Sequence, residues 1–177
     1  MNHEHPFALF HYCPRCGSPR FAEHNGKSKE CADCRFVYYF NPSAAVVAVI
    51  VNPRGELLVC RRGKEPAKGT LDLPGGFCDC FETLEQSVVR EVKEETGLDV
   101  TGTHYLFSLP NTYPYSGFTV HTMDSFFRCR VTREEAMRAM DDAAELLWIP
   151  VADLRPADFG LASVRKGIEI LLSGGLE

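Results

Sequence analysis

Cys13, Cys16, Cys31 and Cys34 form two C-x2-C pairs, with 14 residues between Cys16 and Cys31. Two such turns supply the four soft ligands of a tetrahedral zinc ion, and the chain between them can fold back to close the site. The stretch that carries them, residues 11 to about 40, has few aliphatic side chains and cannot build a core unaided. The spacing therefore predicts a small zinc ribbon held by structural Zn²⁺. Gly17 suits the tight turn after the first pair. His11 and His24 lie nearby, but four cysteines complete the set and leave no position for a reactive water. Asn41-Pro42 marks a boundary. It divides the chain into a ribbon over 1–42 and a second domain over 43–177.

Beyond that boundary, SAAVVAVIV (43–51) and ELLVCRR (56–62) read as strands joined by the turn Asn52-Pro53-Arg54-Gly55, a hairpin. Residues 63–82 read as a loop. A helix is predicted over Thr83–Thr96, with Thr83 and Gln86 at capping-box spacing and Gly97 just past the end. Strands follow at 99–109 and 118–131, then a short helix over TREEAMRAMDDAAE, a strand at ELLWIPV and a helix over Phe159–Leu172. Strands, a central helix, more strands and a last helix fit the α+β class, as a mixed-sheet sandwich.

Charge narrows the partners. At a net −5, the chain is not built to coat nucleic acid or an anionic membrane, so an anionic substrate needs a local site or a metal ion. No apolar run is long enough to span a bilayer. The first residues lack a basic stretch followed by an apolar one, which predicts a cytoplasmic protein with reduced cysteines. Cys60 and Cys129 read as packing residues, and Cys78 and Cys80 as reduced thiols.

The chemistry is concentrated in GGFCDCFETLEQSVVREVKEETGL, residues 75–98. On a helix, Glu91, Glu94 and Glu95 stand at i, i+3 and i+4, on one face. Leu84, Val88 and Val92 form the apolar stripe, and Glu91 and Glu95 border it. Clustered glutamates repel one another and resist desolvation. A divalent cation removes both problems, and oxygen-only ligands suggest Mg²⁺ or Mn²⁺. Gly75-Gly76 offers open backbone to a phosphate or a metal, and Arg90 is placed to pair with Glu94 one turn on.

This segment resembles the Nudix box, G-x5-E-x7-R-E-U-x-E-E-x-G-U, where U is a bulky aliphatic residue. Gly76, Glu82, Arg90, Glu91, Val92, Glu94, Glu95, Gly97 and Leu98 match it. Phe81 stands where many members carry glycine. The resemblance implies a Nudix α/β/α sandwich over about 43–175. It implies that Glu91, Glu94 and Glu95 hold the catalytic ions, that the Gly75 carbonyl adds a ligand, that Glu82 supports the loop and that Arg90 orients the glutamates. Asp142 and Glu145 are the candidates for a later acidic ligand or base. The implied reaction is metal-dependent hydrolysis of a nucleoside diphosphate derivative. Water attacks one phosphorus in line, Glu91 or Glu94 takes its proton, and a nucleoside monophosphate is released.

A ribbon before a Nudix domain is similar to the arrangement in NADH pyrophosphatases, which carry S-Q-P-W-P-F-P-x-S after the box. SLPNTYPYS, Ser108 to Ser116, keeps Ser108, Pro110, Pro114 and Ser116 but has neither the glutamine nor the tryptophan. It reads as a proline-stiffened substrate loop, with Ser108 and Asn111 for polar contacts and Tyr113 and Tyr115 for stacking on a base. NADH, NAD⁺ and ADP-ribose are the substrates in view. Lys64, Lys68, Arg61 and Arg62 are placed in sequence to steer phosphates. The same relatives imply a homodimer. The competing reading is a catalytically silent Nudix module that senses a nucleotide or binds RNA, with its ribbon contacting a partner.

Overall fold

The computed structural model describes residues 6–132, 137–138 and 143–174. The chain forms two compact units, Met1–Pro42 and Ser43–Glu177.

In the first unit, β1 (Phe21–Asn25), β2 (Ser28–Cys31) and β3 (Val37–Tyr39) make an antiparallel sheet in that order. Among the described residues its core is small: Cys13, Phe21 and Cys31, flanked by Cys34 and Phe36, with Phe7 buried beside Tyr38 and Phe40. Each C-x2-C pair sits in a turn closed the same way. Gly17 N–H donates to the Cys13 carbonyl at 2.8 Å and Arg35 N–H to the Cys31 carbonyl at 2.9 Å. Both donors are left-handed, with φ of 74° and 60°. The sulfur pairs Cys13–Cys34 and Cys16–Cys31 are each 3.7 Å apart, and all four sulfurs lie within 4.8 Å of one another. Zn–S bonds of about 2.3 Å set a tetrahedral edge of about 3.8 Å. The cysteines are free thiols whose spacing fits a zinc ion, far from the roughly 2.05 Å of a disulfide.

The second unit contains two sheets. One is β10 (Ala143–Pro150), β5 (Glu56–Arg62) and β6 (Leu71–Asp72), in that order. The other is β7 (Gly75–Phe77), β4 (Ser43–Val49), β9 (Phe118–Thr132) and β8 (Asp99–Tyr115). The β4–β9 pairing is parallel and its neighbours are antiparallel, so the sheet is mixed.

β4 explains the layering. Its side chains alternate between faces, and both faces are buried. Val47 and Val49 join a cluster with Phe126, Phe159 and the Val164, Ile168 and Leu171 stripe of α2 (Ala162–Gly174). Val46, Ala48 and Ile50 join a second cluster with Phe127 and with Val88 and Val92 of α1 (Leu84–Thr96). A helix thus covers each side, the α/β/α arrangement implied by the box. α1 starts at a complete Thr83/Gln86 capping box and stops at Gly97 in the left-handed region.

Three expectations change. The strands 43–51 and 56–62 leave their turn paired only at its base, where Leu58 N–H donates to the Ile50 carbonyl at 2.9 Å and Val51 bridges Leu57. They then diverge into different sheets, because β7 and β9 already fill both edges of β4. The expected loop over 63–82 contains β6 and β7. The expected substrate loop Ser108–Ser116 is strand up to Tyr115, paired with β9. Among the described residues β8 is the last strand of its sheet, the position at which Pro110 and Pro114 are tolerated. Most of the helix expected over TREEAMRAMDDAAE lies outside the described residues, and its last residues open β10. Among the described residues, no helix is long and apolar enough to cross a membrane.

Candidate active site

Gly75 and Gly76 form the seat on which two glutamates rest. β7 runs so close to β4 that a Cβ on Gly75 would stand 2.1 Å from the Val46 carbonyl oxygen. A Cβ on Gly76 would stand 2.7 Å from the Glu91 carboxylate. Only glycine fits at Gly75, where backbone blocks a side chain, whereas a side chain at Gly76 would have to displace the Glu91 carboxylate. The freed backbone is used, because Gly75 N–H donates to Glu95 Oε2 at 3.0 Å.

Arg90 ties the remaining carboxylates together. Its Nε and Nη2 grip both oxygens of Glu82, at 2.7 and 3.0 Å. Its Nη1 reaches Glu91 at 2.8 Å and Glu94 at 2.9 Å, and Nη2 also donates to the Phe77 carbonyl at 3.1 Å. The expected Arg90–Glu94 pair is therefore one arm of a larger hub. The Arg90 guanidinium pulls the Glu82 carboxyl down to about 2, helped by a bond from Asp79 N–H. A depressed pKa keeps that pair formed on acidification until the pH nears that value. Burial raises Glu91 above the ordinary range against the pull of Arg90. Three carboxylates share one guanidinium, which leaves a surplus of negative charge.

A cavity of about 400 Å³ opens onto this cluster, lined by Glu91, Glu94, Glu95, Arg62, Asn111 and Tyr113 among others. Arg62 donates to Asp72 at 2.5 Å and to the Pro66 carbonyl at 2.7 Å, and its guanidinium lies 5.9 Å from the Tyr113 ring centre. Burial raises the Asp72 carboxyl, opposed by Arg62. Lys64 also lines the cavity, whereas Arg61 donates to Glu145 at 3.0 Å and to the Gly69 carbonyl.

The structure divides the residues singled out by sequence. Glu91, Glu94, Glu95, Gly75, Gly76 and Arg90 meet at the cavity, with Glu82 behind Arg90. Asn111 and Tyr113 face it; Ser108 is exposed and Tyr115 is 66% exposed, and neither lines it. Alternation along β8 accounts for Asn111 and Tyr113 pointing one way and Thr112 the other. Glu145, on β10, pairs with Arg61 away from the lining. Asp142 lies outside the described residues. Sequence reading missed Thr122, Asp124 and Ser163, which stand together at the cavity's side; nothing in their spacing marks them.

Phe81 is fully exposed and holds φ at 73°, in the loop that leads into Glu82. A side chain there strains the backbone and packs on nothing. Phe81→Gly is expected to stabilise the fold by about 1 kcal/mol, seen as a raised melting temperature; a lowered one would show that the ring makes contacts of its own.

The NUDIX domain model matches residues 41–168. The chain is 37% identical over 134 residues to an ADP-ribose pyrophosphatase of Methanocaldococcus jannaschii, covering 75% of this chain and 76% of that one. It is 33% identical over 116 residues to the NAD-capped RNA hydrolase NudC of Vibrio atlanticus, covering 66% of this chain and 42% of that one. The chain thus spans less than half the length of that relative. A crystal structure of a NUDIX hydrolase from Nitrosomonas europaea superposes with a TM-score of 0.65 at 18% identity, over 92% of this chain and 90% of that one, which shows a shared fold. With the box residues assembled at one cavity and the family model covering most of the sequence, the chain belongs to the Nudix family.

Proposed function

We propose that the chain is a divalent-metal-dependent pyrophosphohydrolase that cleaves the diphosphate link of a nucleoside diphosphate derivative. One observation carries this reading. Glu91, Glu94 and Glu95 line a substrate-sized cavity with more negative charge than Arg90 offsets. An oxygen-only donor set with surplus charge fits Mg²⁺ or Mn²⁺. Glu91, Glu94, Glu95 and the Gly75 carbonyl would hold the ion. When bound, it supplies charge neutralisation for a diphosphate and makes a water more acidic.

The chain's own groups do the rest. Arg90 fixes Glu91 and Glu94 by hydrogen bonds, which keeps their oxygens in place. Glu91 or Glu94 accepts the proton of the attacking water. Lys64 and Arg62, the latter already paired with Asp72, stand where their N–H groups can reach a phosphorylated ligand. Tyr113 offers a ring for a base or a nicotinamide. NADH, NAD⁺ and ADP-ribose are the substrates proposed, with a nucleoside monophosphate as product. The ribbon is a zinc domain over 1–42 and the catalytic domain spans 43–177.

The test is chromatography of products from NADH, NAD⁺, ADP-ribose, diadenosine polyphosphates, FAD and nucleoside triphosphates with Mg²⁺ or Mn²⁺. A nucleoside monophosphate from any diphosphate-linked member supports the reading. Metal-dependent binding without turnover of any member replaces it with a nucleotide-sensing module.

A proton competes with the cation for Glu91. Because burial raises that carboxyl, metal affinity is expected to fall on acidification at a pH above the ordinary glutamate range. Calorimetric Mn²⁺ titration against pH measures it, and a fall confined to the ordinary range would refute the expectation.

A further inference from the structure

The proposed reaction uses the glutamate side of the cavity, and leaves unexplained a second polar group at the same cavity. Asn111 on β8 stands directly across from Thr122 on β9, and Asp124 follows on the same face of β9. Asn111, Thr122 and Asp124 are 8%, 3% and 5% exposed, and all three line the cavity. Asp124 accepts from Thr122 Oγ1 through Oδ1 and from Ser163 Oγ through Oδ2, both at 2.5 Å. Among the described residues, no cationic side chain forms an ion pair with it. The Asn111 side-chain oxygen is buried with no hydrogen-bond partner. Both hydroxyl protons are spent on Asp124, so what remains to meet a ligand is the second lone pairs of the carboxylate and the Asn111 amide, whose oxygen is buried without a partner. A buried acceptor left unmade destabilises, and a ligand donor that reaches it is correspondingly favoured.

We infer that Asn111 and Asp124 recognise the vicinal hydroxyls of a ribose in the substrate. Two adjacent hydroxyls offer two donors side by side, which is what a carboxylate next to a lone amide oxygen accepts. The ribose is esterified to the diphosphate, so the same cavity holds both. The inference rests on the proposed function for its substrate class, and it makes Asn111 and Asp124 determinants of specificity for ribonucleotides over deoxyribonucleotides.

The test is calorimetric binding of ADP, 2′-deoxy-ADP and 3′-deoxy-ADP to the whole chain with Ca²⁺, which needs no turnover. Loss of a bond to a charged or buried acceptor predicts at least about tenfold weaker binding of one or both deoxy forms. Asn111→Ala is expected to shrink that gap by weakening ADP, and Asp124→Asn to shrink it further. If Asp124→Asn melts early, the wild-type ratios and Asn111→Ala still decide. Equal affinities for the three ligands, no binding of any, or a gap unchanged in Asn111→Ala would overturn the assignment. Failure of the hydrolysis panel with the ribose preference intact would discard the reaction and keep this site.

Discussion

Glu95→Gln is expected to reduce hydrolysis by about 10³-fold or more while leaving the fold intact. The fold survives because the contact that Glu95 makes to β7 needs only an oxygen. Gly75 N–H donates to Glu95 Oε2, and a glutamine carbonyl accepts it equally well. The charge is what goes. On the proposed assignment, an ion held by Glu91, Glu94 and Glu95 would lose a third of its anionic ligands, which would weaken its hold where the diphosphate has to be neutralised. Glu85→Gln is the control. It lies exposed in the first turn of the same helix, removes the same charge and touches nothing at the cavity. Initial rates with Mg²⁺ or Mn²⁺, with metal affinity and melting temperature for both variants, read the outcome. Unchanged turnover in Glu95→Gln, or equal loss in Glu85→Gln, would remove Glu95 from the site.

How far such a site is visible in a sequence depends on whether its parts are local. The box is contiguous: helical periodicity alone put Glu91, Glu94 and Glu95 on one face, and the capping residues fixed where the helix starts. The two glycines were recognisable as special, but the reasons are not local. At position 75 the Val46 carbonyl of β4 excludes any other residue, and at position 76 a side chain would push the Glu91 carboxylate of α1 out of place. The hub role of Arg90 was half legible, since Glu94 is one helical turn away but Glu82 reaches it from the loop. Strand pairing was the least legible feature. The 43–51 and 56–62 segments looked like a hairpin because adjacency in sequence usually means pairing. Here Gly75–Phe77, short and glycine-bearing, takes one edge of β4, and the distant β9 takes the other. The prolines of β8 suggested a loop because an edge position cannot be inferred before the sheet order is known. Asp124 and Ser163 come together only through the packing of α2 against β9, so no spacing rule reaches them.

Removing zinc, or making Cys31→Ser, is expected to unfold the first unit. Without the metal, the described residues of this unit bury little besides the cysteines, Phe21 and Phe36 next to them and Phe7 against Tyr38 and Phe40, too little to offset the conformational entropy of some thirty residues. Structural zinc contributes about 10–16 kcal/mol in small four-ligand domains at neutral pH, far more than so slight a core supplies. Cys31 is the most telling ligand to change. It is fully buried, ends β2, and its carbonyl closes the second knuckle through Arg35 N–H. A serine there weakens the metal site and leaves a hydroxyl in the smallest core of the molecule. Elemental analysis should find one zinc per chain. A zinc-selective chelator, used with Mg²⁺ in excess, should erase amide protection and chemical-shift dispersion across 13–39 and spare those of β4 to β10. Retention of both in the first unit after zinc is gone would mean that the aromatic residues around Phe7, Tyr38 and Phe40, which pack ring to ring at 4.9 and 5.1 Å, hold it without metal.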